Sequence, residues 1–150
     1  MDLNEMIANI ENHIANEGDF RDIGYLLESY NNTDWLNYID LNTSGIKRNI
    51  VYFSNNIEVI IISWRAGYET LPHDHSHNGC WLKLLSTGEL CETLYNTELE
   101  KLCEKKISSK QISFMHNDFG YHSIKNKLES NCYSIHIYSP PKHKTKYFQV

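Results

Sequence analysis

The chain has 150 residues, enough for one hydrophobic core and too few for two. Its net charge of -5, with no segment of clustered Lys or Arg, argues against a nucleic acid or an anionic membrane as partner and favours a small molecule. Met1-Asp2-Leu3-Asn4-Glu5 is not a basic leader, no apolar run reaches the roughly 20 residues that span a bilayer, and Cys80, Cys91, Cys103 and Cys132 show no CxxC spacing, so a cytoplasmic monomer with reduced thiols is expected.

Leu3, Met6, Ile7, Ile10 and Ile14 recur at three- and four-residue steps and predict an amphipathic helix that Gly18 ends. A second stripe runs through Phe20, Ile23, Leu26, Leu27 and Tyr30, and Thr33-Asp34 can cap a short third helix through Trp35 and Tyr38. From Ile50 onward the pattern changes to short β-branched and aromatic runs: Ile50 to Phe53, Ile57 to Trp64, Trp81 to Leu85, Leu90 to Tyr95, Gln111 to Phe114 and Cys132 to Tyr138. Ser54-Asn55-Asn56, Thr87-Gly88 and Asn117-Asp118 mark turns between them, and the Asn/Asp-rich turns read as solvated. Many short strands behind a helical cap predict a mainly β fold, an antiparallel barrel or sandwich of the jelly-roll class, with the helices against the sheet. Neither a repeat nor a linker interrupts the chain, so 1–150 reads as one domain, with a helical region over 1–40 and the barrel over 46–141.

Two imidazoles stand two residues apart in Gly67-Tyr-Glu-Thr-Leu-Pro-His73-Asp-His75, after the run that ends at Trp64. On an extended strand both rings share one face, roughly 6.6 Å apart along the chain, and both can lean onto one ion at a bond length of about 2.1 Å. Glycine, five residues, then His-x-His resembles the first motif of cupin barrels. His77 would lie roughly 13 Å from His73 on an extended chain, too far to join the same ion. His122 is the better third ligand. It sits in Gly120-Tyr-His-Ser-Ile-Lys-Asn126, whose His-x-x-x-Asn tail resembles the second cupin motif, although no proline precedes it and its glycine stands one position closer than usual. His77, His116 and His143 read as solvated, and His13 falls in the helical region.

Cys80 occupies the place where first-motif cupins usually carry a glutamate ligand. Glu69 and Glu92 stand on the far sides of turns, so three neutral imidazoles without a carboxylate are expected. Such a set leaves a divalent metal dicationic and favours an anionic chelating substrate, most naturally a thiolate. Imidazole alone suits zinc, nickel and copper as well as iron.

Taken together, His73-Asp-His75 with Cys80, Trp81-Leu-Lys-Leu-Leu85, Glu92-Thr-Leu-Tyr95, Gly120-Tyr-His122 and Ser134-Ile-His-Ile-Tyr-Ser-Pro-Pro141 closely resemble the animal-type cysteine dioxygenases, in order and in spacing from about Arg48 to Pro141. The resemblance implies a cupin with one iron(II) that adds both atoms of O2 to the sulfur of L-cysteine, giving cysteine sulfinate. It implies His73, His75 and His122 as iron ligands and Arg48 as partner of the substrate carboxylate, a pairing that suits a guanidinium fork. Ile46 stands where the family often has a second carboxylate-binding residue, a tyrosine. Cys80 and Tyr138 match the pair that becomes a thioether in the animal enzymes, a link that tunes activity without being essential; a buried free thiol is the plain alternative. Gly79 replaces the histidine of that pattern.

Ser134, His136 and Tyr138 alternate along one strand and match a hydrogen-bond relay that ends on the Tyr hydroxyl. A hydrolase triad fails, because no strained turn presents Ser134 and no acid neighbours His136. Trp64, Trp81 and Tyr121 read as core filler that can also line the cavity. After Pro141 the chain departs from the family, with Lys142-His-Lys-Thr-Lys146 replacing a longer, less basic segment. Two alternatives stay open: a dioxygenase for another small thiol such as 3-mercaptopropionate, against which Arg48 and Cys80 both speak, and a metal-binding cupin without oxygenase activity, an isomerase or a sensor.

Overall fold

The computed structural model describes residues 1–40 and 47–150; Ile46 lies outside the described residues. The first apolar stripe forms helix α1, Leu3–Ala15, capped by the Asp2 carboxylate on the Glu5 N–H at 2.8 Å and burying Leu3, Met6, Ile7 and Ile10. Its end is made differently from expectation. Glu17 takes the left-handed conformation (φ 61°), while Gly18 donates to the His13 carbonyl at 2.8 Å and packs where a Cβ would strike the His13 ring. The second stripe is a 3-10 turn, Phe20–Ile23, running into helix α2, Gly24–Ser29. The third is a 3-10 turn, Asp34–Tyr38, whose opening N–H groups bond the Asn32 side chain, with no side-chain cap from Thr33. Asp34 instead turns back to accept from the Leu3 N–H at 2.9 Å and from the Tyr30 hydroxyl, tying the helices together.

Eight strands follow: β1 Lys47–Phe53, β2 Glu58–Trp64, β3 Gly79–Leu84, β4 Glu89–Tyr95, β5 Lys101–Ser108, β6 Ile112–Met115, β7 Tyr121–Lys125 and β8 Cys132–Ser139. They form a five-stranded sheet ordered β1-β2-β8-β3-β6 and a three-stranded sheet ordered β5-β4-β7, all pairs antiparallel. The period of two sorts the large sheet into two faces. Val59, Ile61, Ile135 and Ile137 pack on α1 and α2 in one cluster, whereas Ile60, Ile62, Trp64, Leu82 and Leu84 meet Leu90, Ile107 and Ile124 of the small sheet in a second. The sheet pair is therefore a sandwich with helices on its outer face.

Lys83 fastens helix to sheet. It is buried on the helix side of β3, and its ammonium donates to the carbonyls of Leu27, Glu28 and Tyr30 at 2.9, 3.0 and 2.6 Å. Carbonyls at a helix C-terminus lack intrahelical partners and carry the negative end of the dipole, so a buried cation there satisfies both.

Two strands were not expected. β5 reads Lys-Leu-Cys-Glu-Lys-Lys-Ile-Ser, with Ile107 alone buried, and its charges suit an edge strand paired on one side to β4. β7 carries His122 and pairs with β4 on the other side. In the opposite direction, His73 and His75 do not continue a strand. Past Trp64 the chain makes isolated bridges only, Glu69 to Lys125 and His73 to both His122 and Tyr147. No helix among the described residues is long and apolar enough to cross a membrane.

Candidate metal centre

One strand and one loop bring three imidazoles together. His122 points inward from β7, and the His73 N–H donates to the His122 carbonyl at 3.0 Å, which lays the loop across that strand. The candidate ligand nitrogens of His73, His75 and His122 all lie within 4.8 Å of one another. The Nε2 atoms of His75 and His122 face each other at 2.8 Å. His77 is exposed in the turn that follows and takes no part; His116 and His143 sit against Asp118 and Asp74.

Each ring is held differently. His73 Nδ1 meets the Leu71 carbonyl at 2.8 Å, so it carries the hydrogen and Nε2 is left bare. His122 Nδ1 meets Glu92 Oε2 at 2.6 Å, with the same consequence. His75 Nδ1 is buried without a hydrogen-bond partner, and the residue is fixed instead through its backbone. Asn117 accepts from the His75 N–H and donates to the His75 carbonyl, both at 2.9 Å. Burial holds His73 down to about 3 and His75 well below the usual imidazole range, helped in both by the neighbouring His122. Imidazole nitrogens converging in this way fit a divalent cation.

Arg48 comes from β1, paired with Ile62 and so on the inward face, its guanidinium 6.0 Å from the Tyr138 ring centre. From β2 the Trp64 indole N–H donates to Ser134 Oγ on β8 at 2.8 Å, which leaves the serine hydrogen for His136 Nε2, also at 2.8 Å. His136 Nδ1 then faces the Tyr138 hydroxyl at 3.4 Å. Cys80 stands directly opposite Tyr138 across the β3–β8 pair, with its sulfur 4.0 Å from His136 Nδ1. Burial pushes the Cys80 thiol and the Tyr138 phenol up and His136 well down, so all three are neutral at pH 7. Arg48, Cys80, His136 and Tyr138 line one cavity together with the three histidines, Trp64 and Tyr147.

Sequence reasoning missed three parts of this arrangement. Glu92, expected to stand apart, reaches His122 from behind. Asn117, read as a solvated turn, grips His75 from 42 positions away. The segment after Pro141 closes over the ligand loop: Asp74 Oδ1 accepts from the Lys146 N–H at 2.8 Å and faces His143 Nε2 at 2.9 Å, and the Tyr147 ring centre lies 5.5 Å from that of His73. Trp81 and Tyr121 leave the cavity, the first donating to the Phe20 carbonyl at 3.0 Å beneath the helices and the second stacking on Phe148. Gly79, at φ 104°, lies where a Cβ would meet the Met115 carbonyl at 2.7 Å, which accounts for a side-chain-free residue before Cys80.

A two-sheet antiparallel sandwich with three converging histidines defines a metal-binding cupin. The fold is shared with an uncharacterized conserved protein of Klebsiella pneumoniae with a double-stranded β-helix domain (TM-score 0.59, 16% identity, covering 76% of this chain and 93% of that one) and with a cupin superfamily protein of Desulfitobacterium hafniense (TM-score 0.52, 12% identity, 67% and 83%). The family model described as cysteine dioxygenase type I matches residues 2–150, and the chain belongs to that family. It is 28% identical over 137 residues to cysteine dioxygenase type 1 of Homo sapiens and 29% to that of Rattus norvegicus, in each case over 85% of this chain and 68% of the relative.

Proposed function

We propose that the chain is an iron(II) dioxygenase that converts L-cysteine and O2 to cysteine sulfinate, as one cytoplasmic, monomeric domain. The observation that carries the reading is the convergence of three imidazoles with Arg48, Cys80 and Tyr138 on one cavity, in a member of this family. His73, His75 and His122 would hold the iron, which when bound offers open positions to a thiolate and to O2. Everything else is work for side chains. Arg48 at the mouth pairs with the substrate carboxylate through two parallel hydrogen bonds and so orients the thiol inward. Trp64, Ser134 and His136 form a fixed chain of donors and acceptors that holds the Tyr138 hydroxyl over the cavity. The apolar walls, Ile62 and Ile124, exclude water from the sulfur.

Cys80 and Tyr138 form a thioether in this reading. An Sγ–H bond and a ring C–H bond of tyrosine are replaced by an S–C bond, and the two hydrogens with their electrons pass to O2. Opposed residues of an antiparallel pair have Cβ atoms about 4.5–5.5 Å apart, within reach of such a bond. The test is iron-loaded protein given L-cysteine in an oxygen electrode, with sulfinate measured alongside; one O2 consumed per sulfinate is expected. Bound iron without cysteine-dependent uptake would turn the reading toward a cupin that is not an oxygenase.

A further inference from the structure

We infer that Glu92 is the positioning residue of the metal centre, fixing the His122 ring and supplying from behind it the negative charge that the three ligands lack. This rests on the three-histidine reading above. Strand register brings the two together: Glu92 pairs with Ile124 on β7, two residues beyond His122, so both side chains share the inward face. Its Oε2 lies 2.6 Å from His122 Nδ1. A carboxylate can only accept, so Nδ1 carries the hydrogen and the Nε2 lone pair points toward His73 and His75.

The other oxygen is occupied as well. Ser113 donates its hydroxyl to Oε1 at 2.9 Å, and the Lys105 ammonium stands 3.1 Å away. The carboxylate cannot rotate without breaking one of these contacts. Its side chain is only 7% exposed, so its field acts through protein and not through water.

The three rings can be compared within one site. A backbone carbonyl, the Leu71 oxygen, is enough to orient His73, and His75 does without any ring partner. A buried carboxylate is costly to desolvate and unnecessary for orientation alone. What it adds is charge, which raises the basicity of the ring it bonds. Cys80 stands where a glutamate ligand would neutralise one of the two metal charges, and Glu92 does so one residue removed.

The experiment compares metal-free wild type, Glu92→Gln and Glu92→Ala, titrated anaerobically with ferrous ion against a chromogenic chelator, followed by the ferric/ferrous potential of each loaded protein. Glu92→Ala should bind ferrous ion about 10- to 100-fold more weakly. Glu92→Gln keeps an acceptor for Nδ1–H and should recover part of that affinity, but its potential should move positive because the charge is gone. An affinity in Glu92→Ala within about threefold of wild type, whatever its melting temperature, overturns the inference, since a mere brace would lower stability alone. An unmoved potential in Glu92→Gln overturns it too, and that near-isosteric variant decides the matter if Glu92→Ala does not fold. Wild type that takes up no ferrous ion sinks the three-histidine reading as well; wild type that binds while both variants bind equally sinks only the role of Glu92.

Discussion

Replacing Arg48 by Gln should separate substrates that carry a carboxylate from those that do not. Losing a charge-assisted pair of this kind costs about 1.5–3 kcal/mol. Arg48 is exposed on β1, so water competes for its guanidinium and the lower figure applies. About 1.5 kcal/mol corresponds to roughly tenfold in binding. The same side chain also rests 6.0 Å over the Tyr138 ring, and losing that contact disturbs every substrate alike. Cysteamine, which has the thiol and amine of cysteine without its carboxylate, measures the shared disturbance. The ratio of the two effects therefore isolates the carboxylate. Steady-state KM values, backed by anaerobic dissociation constants for each thiol, should show L-cysteine weakened about tenfold more than cysteamine. Equal losses on both would show that Arg48 serves the fold of β1 and not the substrate. A wild-type preference for 3-mercaptopropionate over cysteine would move the assignment to that class of thiol.

His122→Ala should abolish iron retention on gel filtration while His77→Ala leaves it intact; the reverse pattern would overturn the ligand set. After turnover with cysteine, intact mass should fall by two hydrogens and a peptide map should join the segments around Cys80 and Tyr138, and Cys80→Ala should remove that mass change while keeping reduced activity. A protein that turns over cysteine and never yields the joined peptide would show that the thiol stays free. His136 is buried and held well below its ordinary 6.5, so its contribution to stability is complete above pH 6.5 and shrinks as the pH falls, because the unfolded chain takes up the proton first. The urea midpoint of the metal-free protein should therefore drop between pH 7 and 5, and His136→Gln should flatten that drop; an unchanged slope would show that other groups govern it.

The local patterns were legible because local physics makes them. The stripe of α1 and the β-branched runs of β2 and β8 follow from helical and strand periods, and the shared face of Ser134, His136 and Tyr138 on β8 follows from alternation alone. β5 escaped notice because an edge strand made of Lys and Glu has no apolar alternation, its burial resting on Ile107. Glu92 and Asn117 were misjudged, and the hold of the C-terminal segment on Asp74 was missed, for another reason. Their partners come from register between distant strands and from loop closure, neither of which a sequence displays. The His-x-His loop shows this best: its spacing suits a strand, yet its rings converge through a cross-strand bridge and an asparagine clamp.

The grip of residues 143–148 on the ligand loop has a consequence for the order in which the molecule comes into being. Asp74 lies between two candidate ligands, and its carboxylate is satisfied by the Lys146 N–H, 72 positions later. The Phe148 N–H closes the same loop by donating to the Pro72 carbonyl at 2.9 Å. Contacts that distant along the chain close late, as does the β2–β8 pairing, since the entropy of closing such a loop must be met before any contact rewards it. During synthesis, then, the segment that secures the histidine loop is made only after every strand of both sheets. A nascent chain halted at Ser139 would possess every strand and all three candidate ligands, and still lack the clasp that keeps two of them in place.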